Sequence, residues 1–257
     1  MAVPAQPFPG SSAPDAPQPR RRAAGRPALP PVVADVRRRK LTYLDRRALL
    51  DIGRAVRAAE RSQVPGMLIE AGTALGGSAV VMAVAKRRRR PLVLYDVFGT
   101  IPPPGDGDGP DVHRRYDTIV SGQARGLGGE TYYGYRGDLY EHVVATLTEY
   151  HRPPAHHAIT LVRGRFEDTL SIDAPVALAH LDGDWYSSTM TCLERIVPFL
   201  SPGGRIIIDD YRAWSGCRRA VDEYFAVDRG CRREQHARVH FVRDPTETMS
   251  PYAQQAG

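Results

Sequence analysis

Beyond residue 40, the apolar positions of this chain switch between two periods. Leu49, Ile52, Val56 and Ala59 recur at helical spacing and predict a helix over residues 45–62. Val64-Pro65-Gly66 breaks it. Short apolar runs bounded by turn residues follow at 67–70, 91–96, 159–162, 176–181 and 205–209, and each reads as a strand. Between them lie a small-residue helix running through Lys86, a helix over 185–200 and another over 217–226. Ser201-Pro-Gly-Gly204 reads as the turn into the fifth strand, and 238–243 as a late strand. Strands alternating with helices predict an α/β fold with a mainly parallel sheet and helices on both faces. Right-handed crossovers then line up the strand C-termini along one edge, where ligands bind.

Two segments depart from this rhythm. Residues 1–31 are rich in Pro, Ala and Arg and cannot bury a core, so they read as a disordered tail, leaving 32–257 as a single domain. Residues 99–157 are longer than one crossover needs, with a Pro/Gly/Asp loop over 101–110 and a helical stretch over 138–150. Extra material beside a ligand edge predicts a lid or substrate region, with a dimerisation arm as the alternative. Tyr132, Tyr133 and Tyr135 are its candidate substrate contacts. A homo-oligomer is expected.

The net charge of +6 raises a nucleic-acid reading. Residues 1–40 carry all of that excess, through eight basic side chains against Asp15 and Asp35. The rest of the chain is neutral, so an Arg-tailed nucleic-acid binder is the weaker rival, and no nucleic-acid partner is expected. Only Lys40 and Lys86 are lysines, a bias that matches the codon usage of a GC-rich genome such as an actinobacterial one. Cys192, Cys217 and Cys231 have no metal-binding spacing and fit a reducing cytoplasm. The longest apolar run, residues 79–85, is too short to cross a bilayer, and no secretory h-region is present.

Candidate chemistry lies at the strand ends. Glu70-Ala-Gly72-Thr73-Ala-Leu-Gly76-Gly77-Ser78 occupies the first strand-to-helix turn, where glycines admit a ligand and the helix N-terminus offers free N–H groups. Glu70 stands where a dinucleotide-binding loop has its first glycine. An acid there repels a pyrophosphate but suits an ammonium, and Asp96 at the second strand end can accept from ribose hydroxyls. The pair fits a ligand with a sulfonium, an amine and a ribose, whereas a plain tight turn is the bland alternative. Gly72, Thr73 and Ser78 complete this half of the site. Arg165 and Phe166 follow the third strand, with Phe166 either stacking on adenine or packing in the core.

His180-Leu-Asp182-Gly-Asp184-Trp-Tyr186 ends the fourth strand, and Ile208-Asp209-Asp210-Tyr211 the fifth. Neighbouring strands lie ~4.8 Å apart, so up to four carboxylates meet there, which calls for a cation. Oxygen ligands favour Mg²⁺, Ca²⁺ or Mn²⁺. Asp184 immediately precedes a helix and reads as its N-cap. Asp182, Asp209 and Asp210 are the metal candidates.

These segments, together with Tyr95-Asp-Val-Phe98, Ser188-Thr189 and Gly216-Cys-Arg-Arg-Ala-Val-Asp-Glu223, resemble the macrocin O-methyltransferase family over residues 41–228. The resemblance implies a single Rossmann-like class I methyltransferase domain using S-adenosylmethionine and Mg²⁺. It implies a sugar hydroxyl of a glycosylated bacterial natural product as acceptor, and a role in antibiotic biosynthesis. Asp182, Asp209 and Asp210 would be the metal ligands, and Glu70, Gly72 and Asp96 would hold the cofactor, with Asp182 also near it. Catechol-type methyltransferases place a lysine base three residues after the first metal aspartate, where this chain has Trp185. The base is then Asp182, a histidine or water, and Asp182 is favoured because it can bind metal and take the proton together. A phenol, catechol or peptide carboxylate is the rival acceptor.

Overall fold

The Asp45 carboxylate accepts from the backbone N–H groups of Arg47 and Ala48 at 2.7 and 2.9 Å, satisfying two orphan donors and starting the long helix the sequence predicts. That helix buries Leu49, Ile52 and Val56 at the expected spacing. The computed structural model describes residues 27–246. Its first half runs α1 (Leu29–Arg38), α2 (Arg46–Arg61), β1 (Met67–Ala71), α3 (Gly77–Ala85) and β2 (Leu92–Asp96). The long connection contributes α4 (Pro110–Val120), α5 (Leu139–Glu149) and α6 (Pro154–His157). Then come β3 (Ile159–Arg163), α7 (Phe166–Thr169), β4 (Val176–Leu181), α8 (Tyr186–Ile196), β5 (Leu200–Ile208), α9 (Ser215–Tyr224), β6 (Cys231–Gln235) and β7 (Val239–Arg243).

The described strands form one sheet in the order β3-β2-β1-β4-β5-β7-β6. The first five are parallel, and β7 runs antiparallel beside β5. Side chains alternate across the sheet. Leu68, Leu94, Leu178 and Ile207 pack under α1, α2, α3 and α5, whereas Ile69, Ala179, Ile206 and Ile208 pack under α8 and α9. With both faces covered, β4 is buried at every position, as its continuous apolar run predicts. Each such Leu or Ile contributes roughly 1.5–3 kcal/mol. The doubly covered α/β fold is therefore as predicted.

Several local readings differ. Ser201-Pro-Gly-Gly204 lies inside β5 rather than before it: Val176 pairs with Leu200 and Leu178 with Arg205, and the surplus residues bulge out at Gly203, whose φ is +73°. The edge strand β6 alternates poorly because β7 is its one partner in the sheet. Helix α4 buries only Val112 and Ile119, too sparse a stripe to read. The predicted tail falls largely outside the described residues, and α1 begins within its last positions, at Leu29. Among the described residues, no helix is long and apolar enough to cross a membrane.

Candidate active site

A cavity opens where β1, β2, β4 and β5 end, and the connection between β2 and β3 roofs it. Gly72 forms its floor. Its φ is +91°, and a Cβ there would lie 1.8 Å from the Asp182 carbonyl oxygen, so only glycine permits this approach of the β1 and β4 turns. Thr73 and Ser78 line the same wall. Both are buried, and the Thr73 hydroxyl has no hydrogen-bond partner among the described residues. Asp96 also faces the cavity, and its carboxylate already accepts from the backbone N–H groups of Thr73, Ala74 and Phe98 at 2.6–2.8 Å. Burial raises its pKa, and those three hydrogen bonds oppose the rise. Asp96 thus braces the glycine-rich loop against the second strand. Arg165 and Phe166 border the cavity at the start of α7.

Glu70 is turned away from this cavity. Alternation along β1 puts it on the face of Leu68, fully buried, with its Oε1 accepting from His180 Nδ1 at 3.1 Å. The two residues are register partners on β1 and β4. Glu70 therefore faces His180, whereas the expected ligand contact would require it to face the cavity. Burial works against the His180 cation, but Asp209 and Glu70 outweigh it and raise its pKa to about 9.

The acids divide differently from the sequence reading. Asp182, Asp184 and Asp210 each offer an oxygen within 4.8 Å of the others. Asp184 does not cap α8: it sits at φ +59°, its N–H donates to Asp210 Oδ2 at 3.3 Å, and its Oδ1 accepts from Trp214 Nε1 at 2.9 Å. Trp185 occupies the cap position instead, and Asp108 of the long connection accepts from the Tyr186 N–H at 2.8 Å. Burial, followed by repulsion from Asp210, holds Asp182 and Asp184 well above the usual carboxyl range. Burial and Asp209 raise Asp210 to about 6. Asp209 instead pairs with Arg238 Nε at 2.6 Å, with His180 Nε2 3.9 Å away. Burial would raise its pKa, but those cations prevail and lower it. No periodicity signals a left-handed residue or an indole donor, so Asp184 has the look of an N-cap in the sequence and Trp214 is left unmarked.

The long connection is fastened to the site. Trp185 Nε1 donates to the Pro102 carbonyl at 2.9 Å, and Asp111 accepts from the Ser215 backbone N–H at 3.0 Å. Tyr132 and Tyr133 line the cavity. The Tyr135 hydroxyl donates to the Ile119 carbonyl at 2.5 Å and accepts from Ala124 N–H, so it holds the connection together.

Comparison with known proteins gives this arrangement its class. The profile of the macrocin O-methyltransferase (TylF) family matches residues 137–233. Demethyldecarbamoylnovobiocin O-methyltransferase of Streptomyces niveus is 32% identical over 198 residues, covering 72% of this chain and 68% of that protein. The 8-demethyl-8-(2,3-dimethoxy-alpha-L-rhamnosyl)-tetracenomycin-C 4'-O-methyltransferase of Streptomyces olivaceus is 34% identical over 169 residues, 63% of this chain and 58% of the relative. The solved structure of the O-methyltransferase NovP matches with a TM-score of 0.65 at 26% identity, over 79% of this chain and 82% of that one. Fold and relatives together define a class I, S-adenosylmethionine-dependent O-methyltransferase. The chain belongs to the macrocin O-methyltransferase family.

Proposed function

We propose that the protein methylates a sugar hydroxyl of a glycosylated bacterial natural product, in antibiotic biosynthesis, with Mg²⁺ as its divalent ion. The observation that carries this reading is the convergence of Asp182, Asp184 and Asp210 in a cavity that is also lined by Asp96 and by Thr73, whose hydroxyl has no partner among the described residues. Three close carboxylates are unstable together when ionised, and an all-oxygen donor set suits Mg²⁺. Asp182 and Asp210 would hold it, with Asp184 as third carboxylate; Asp209, implied by the family resemblance, would join by releasing Arg238. Such an ion stabilises alkoxide charge on an attacking hydroxyl.

The chain's own groups supply the rest. Gly72, Thr73, Ser78, Asp96, Arg165 and Phe166 would hold S-adenosylmethionine, which would supply the methyl group. Asp182 takes the hydroxyl proton as a new O–C bond replaces the S–C bond and S-adenosylhomocysteine leaves. The acceptor reading draws on the rhamnosyl acceptor in the Streptomyces olivaceus relative's name. A cytoplasmic homo-oligomer belongs to the same proposal, with residues 99–157 governing acceptor choice.

Mass spectrometry of reactions with paired glycosylated and aglycone acceptors tests it. Methylation confined to the sugar is the expected result. Methylation of the aglycone would refute the acceptor class.

A further inference from the structure

The roof of the cavity carries one charge that the reaction above does not use. Its wall from the long connection is built from Gly99, Ile101, Pro102, Pro103, Ile119, Tyr132 and Tyr133, all uncharged, together with Arg115 of α4. Arg115 is half-buried, and its guanidinium lies over the ring of Tyr132, 5.2 Å from the centroid. Tyr132 is itself 2% exposed, so the platform beneath the guanidinium is fixed.

The acids near Arg115 are engaged elsewhere. Asp111 is bonded to Ser215, and Glu130 to Lys40. Asp184 is held by Trp214, and the Arg115 charge favours its ionised form without an ion pair between them. Among the described residues, Arg115 has no carboxylate within ion-pairing distance. A half-buried guanidinium without an anion is costly, and its planar fork matches two oxygens of a carboxylate or phosphate.

We infer that Arg115 is a specificity residue that binds an anionic oxygen group of the acceptor. The inference rests on the proposed acceptor-methylating reading of this cavity. An acceptor bound in the cavity sets its reacting hydroxyl at Asp182 and its anionic group at Arg115, on the wall from the long connection. That group has two chemical sources: an acid on the aglycone, or the diphosphate of a nucleotide-activated sugar. A neutral acceptor leaves the guanidinium unpaired.

The test uses the full-length protein with Mg²⁺ and three acceptors bearing one sugar: a nucleoside-diphosphate sugar, a carboxyaryl glycoside and a neutral aryl glycoside. Calorimetry with S-adenosylhomocysteine bound gives affinities independent of turnover, and kinetics give KM and kcat. The wild type should favour one anionic acceptor over the neutral one, and which of the two identifies the source. Arg115→Met should weaken that acceptor about 10- to 100-fold through KM, with kcat and neutral-glycoside affinity little changed. Arg115→Lys should recover part of the loss, because it keeps the charge without the fork. An unchanged S-adenosylhomocysteine affinity shows that the variants are folded. No anionic preference in the wild type, or an equal effect of Arg115→Met on all three acceptors, overturns the inference. Binding that depends on Arg115 without methylation of any sugar would instead overturn the proposed reaction.

Discussion

Trp214 Nε1 donates to Asp184 Oδ1 at 2.9 Å, and this contact holds Asp184 in the acidic cluster rather than on the end of α8. Both partners line the cavity, so the indole sets how much negative charge gathers at its acidic end. Trp214→Phe keeps the ring and removes the donor. Mn²⁺ affinity should fall a few-fold in this variant, and about 10-fold in Asp184→Asn, as read by calorimetry. Unchanged affinity in both would place Asp184 outside the metal site.

Metal and pH are linked at Asp210. Its pKa is about 6 in the fold against an ordinary 3.8, with burial the largest cause. A folded acid that is harder to ionise binds more protons than the unfolded chain, so native stability falls as pH climbs from about 4 through about 6. Asp182 and Asp184 shift in the same direction and extend the loss upward. Metal-free protein should therefore melt at a lower temperature at pH 7.5 than at pH 5.5. Mg²⁺ should raise the midpoint more at pH 7.5, each kcal/mol being worth roughly 2–4 °C for a chain of this size. An Mg²⁺ effect that is equal at both pH values would contradict this linkage.

Asp96 and Glu70 should separate cleanly. Asp96→Asn removes a cavity-facing charge and disturbs the bonds to Thr73 and Ala74, so S-adenosylhomocysteine affinity should drop by about 1.5–3 kcal/mol. Glu70→Gln weakens the buried pair with His180, so it should lower the melting temperature and change affinity less. Calorimetry beside a thermal melt distinguishes the two, and the reverse pattern would put Glu70 at the ligand.

Much of this layout is legible in the sequence because periodicity reports burial. The apolar run of β4 and the helical stripe of α2 name their own faces. A motif gives the position of Glu70, whereas the two-residue alternation of the strand decides that it points at His180. The alternation of Leu68 and Glu70 on one face carried that information in the sequence itself. The ion pair of Asp209 is hidden from the sequence for a different reason. Its partner Arg238 sits 29 positions away in the turn between β6 and β7, and pairing across such a distance leaves no local pattern.

The fastening of the long connection makes a further expectation. Asp108→Ala removes the acceptor for Tyr186 N–H, and Trp185→Phe removes the donor to Pro102. Hydrogen exchange over 99–110 should speed up and acceptor KM should rise, while S-adenosylhomocysteine binding holds. Unaltered exchange would show that the loop is fixed by other contacts.

Buried carboxylates at the ends of β4 and β5 would hold a divalent ion for methyl transfer, with Asp182 the most important of them. The most direct measurement is turnover before and after chelation, in wild type and Asp182→Asn, beside S-adenosylhomocysteine binding. Wild-type activity should vanish with chelator and return with Mg²⁺, whereas Asp182→Asn should stay inactive at any Mg²⁺ concentration while still binding S-adenosylhomocysteine. Full turnover in chelator, or an active Asp182→Asn enzyme, would contradict the account.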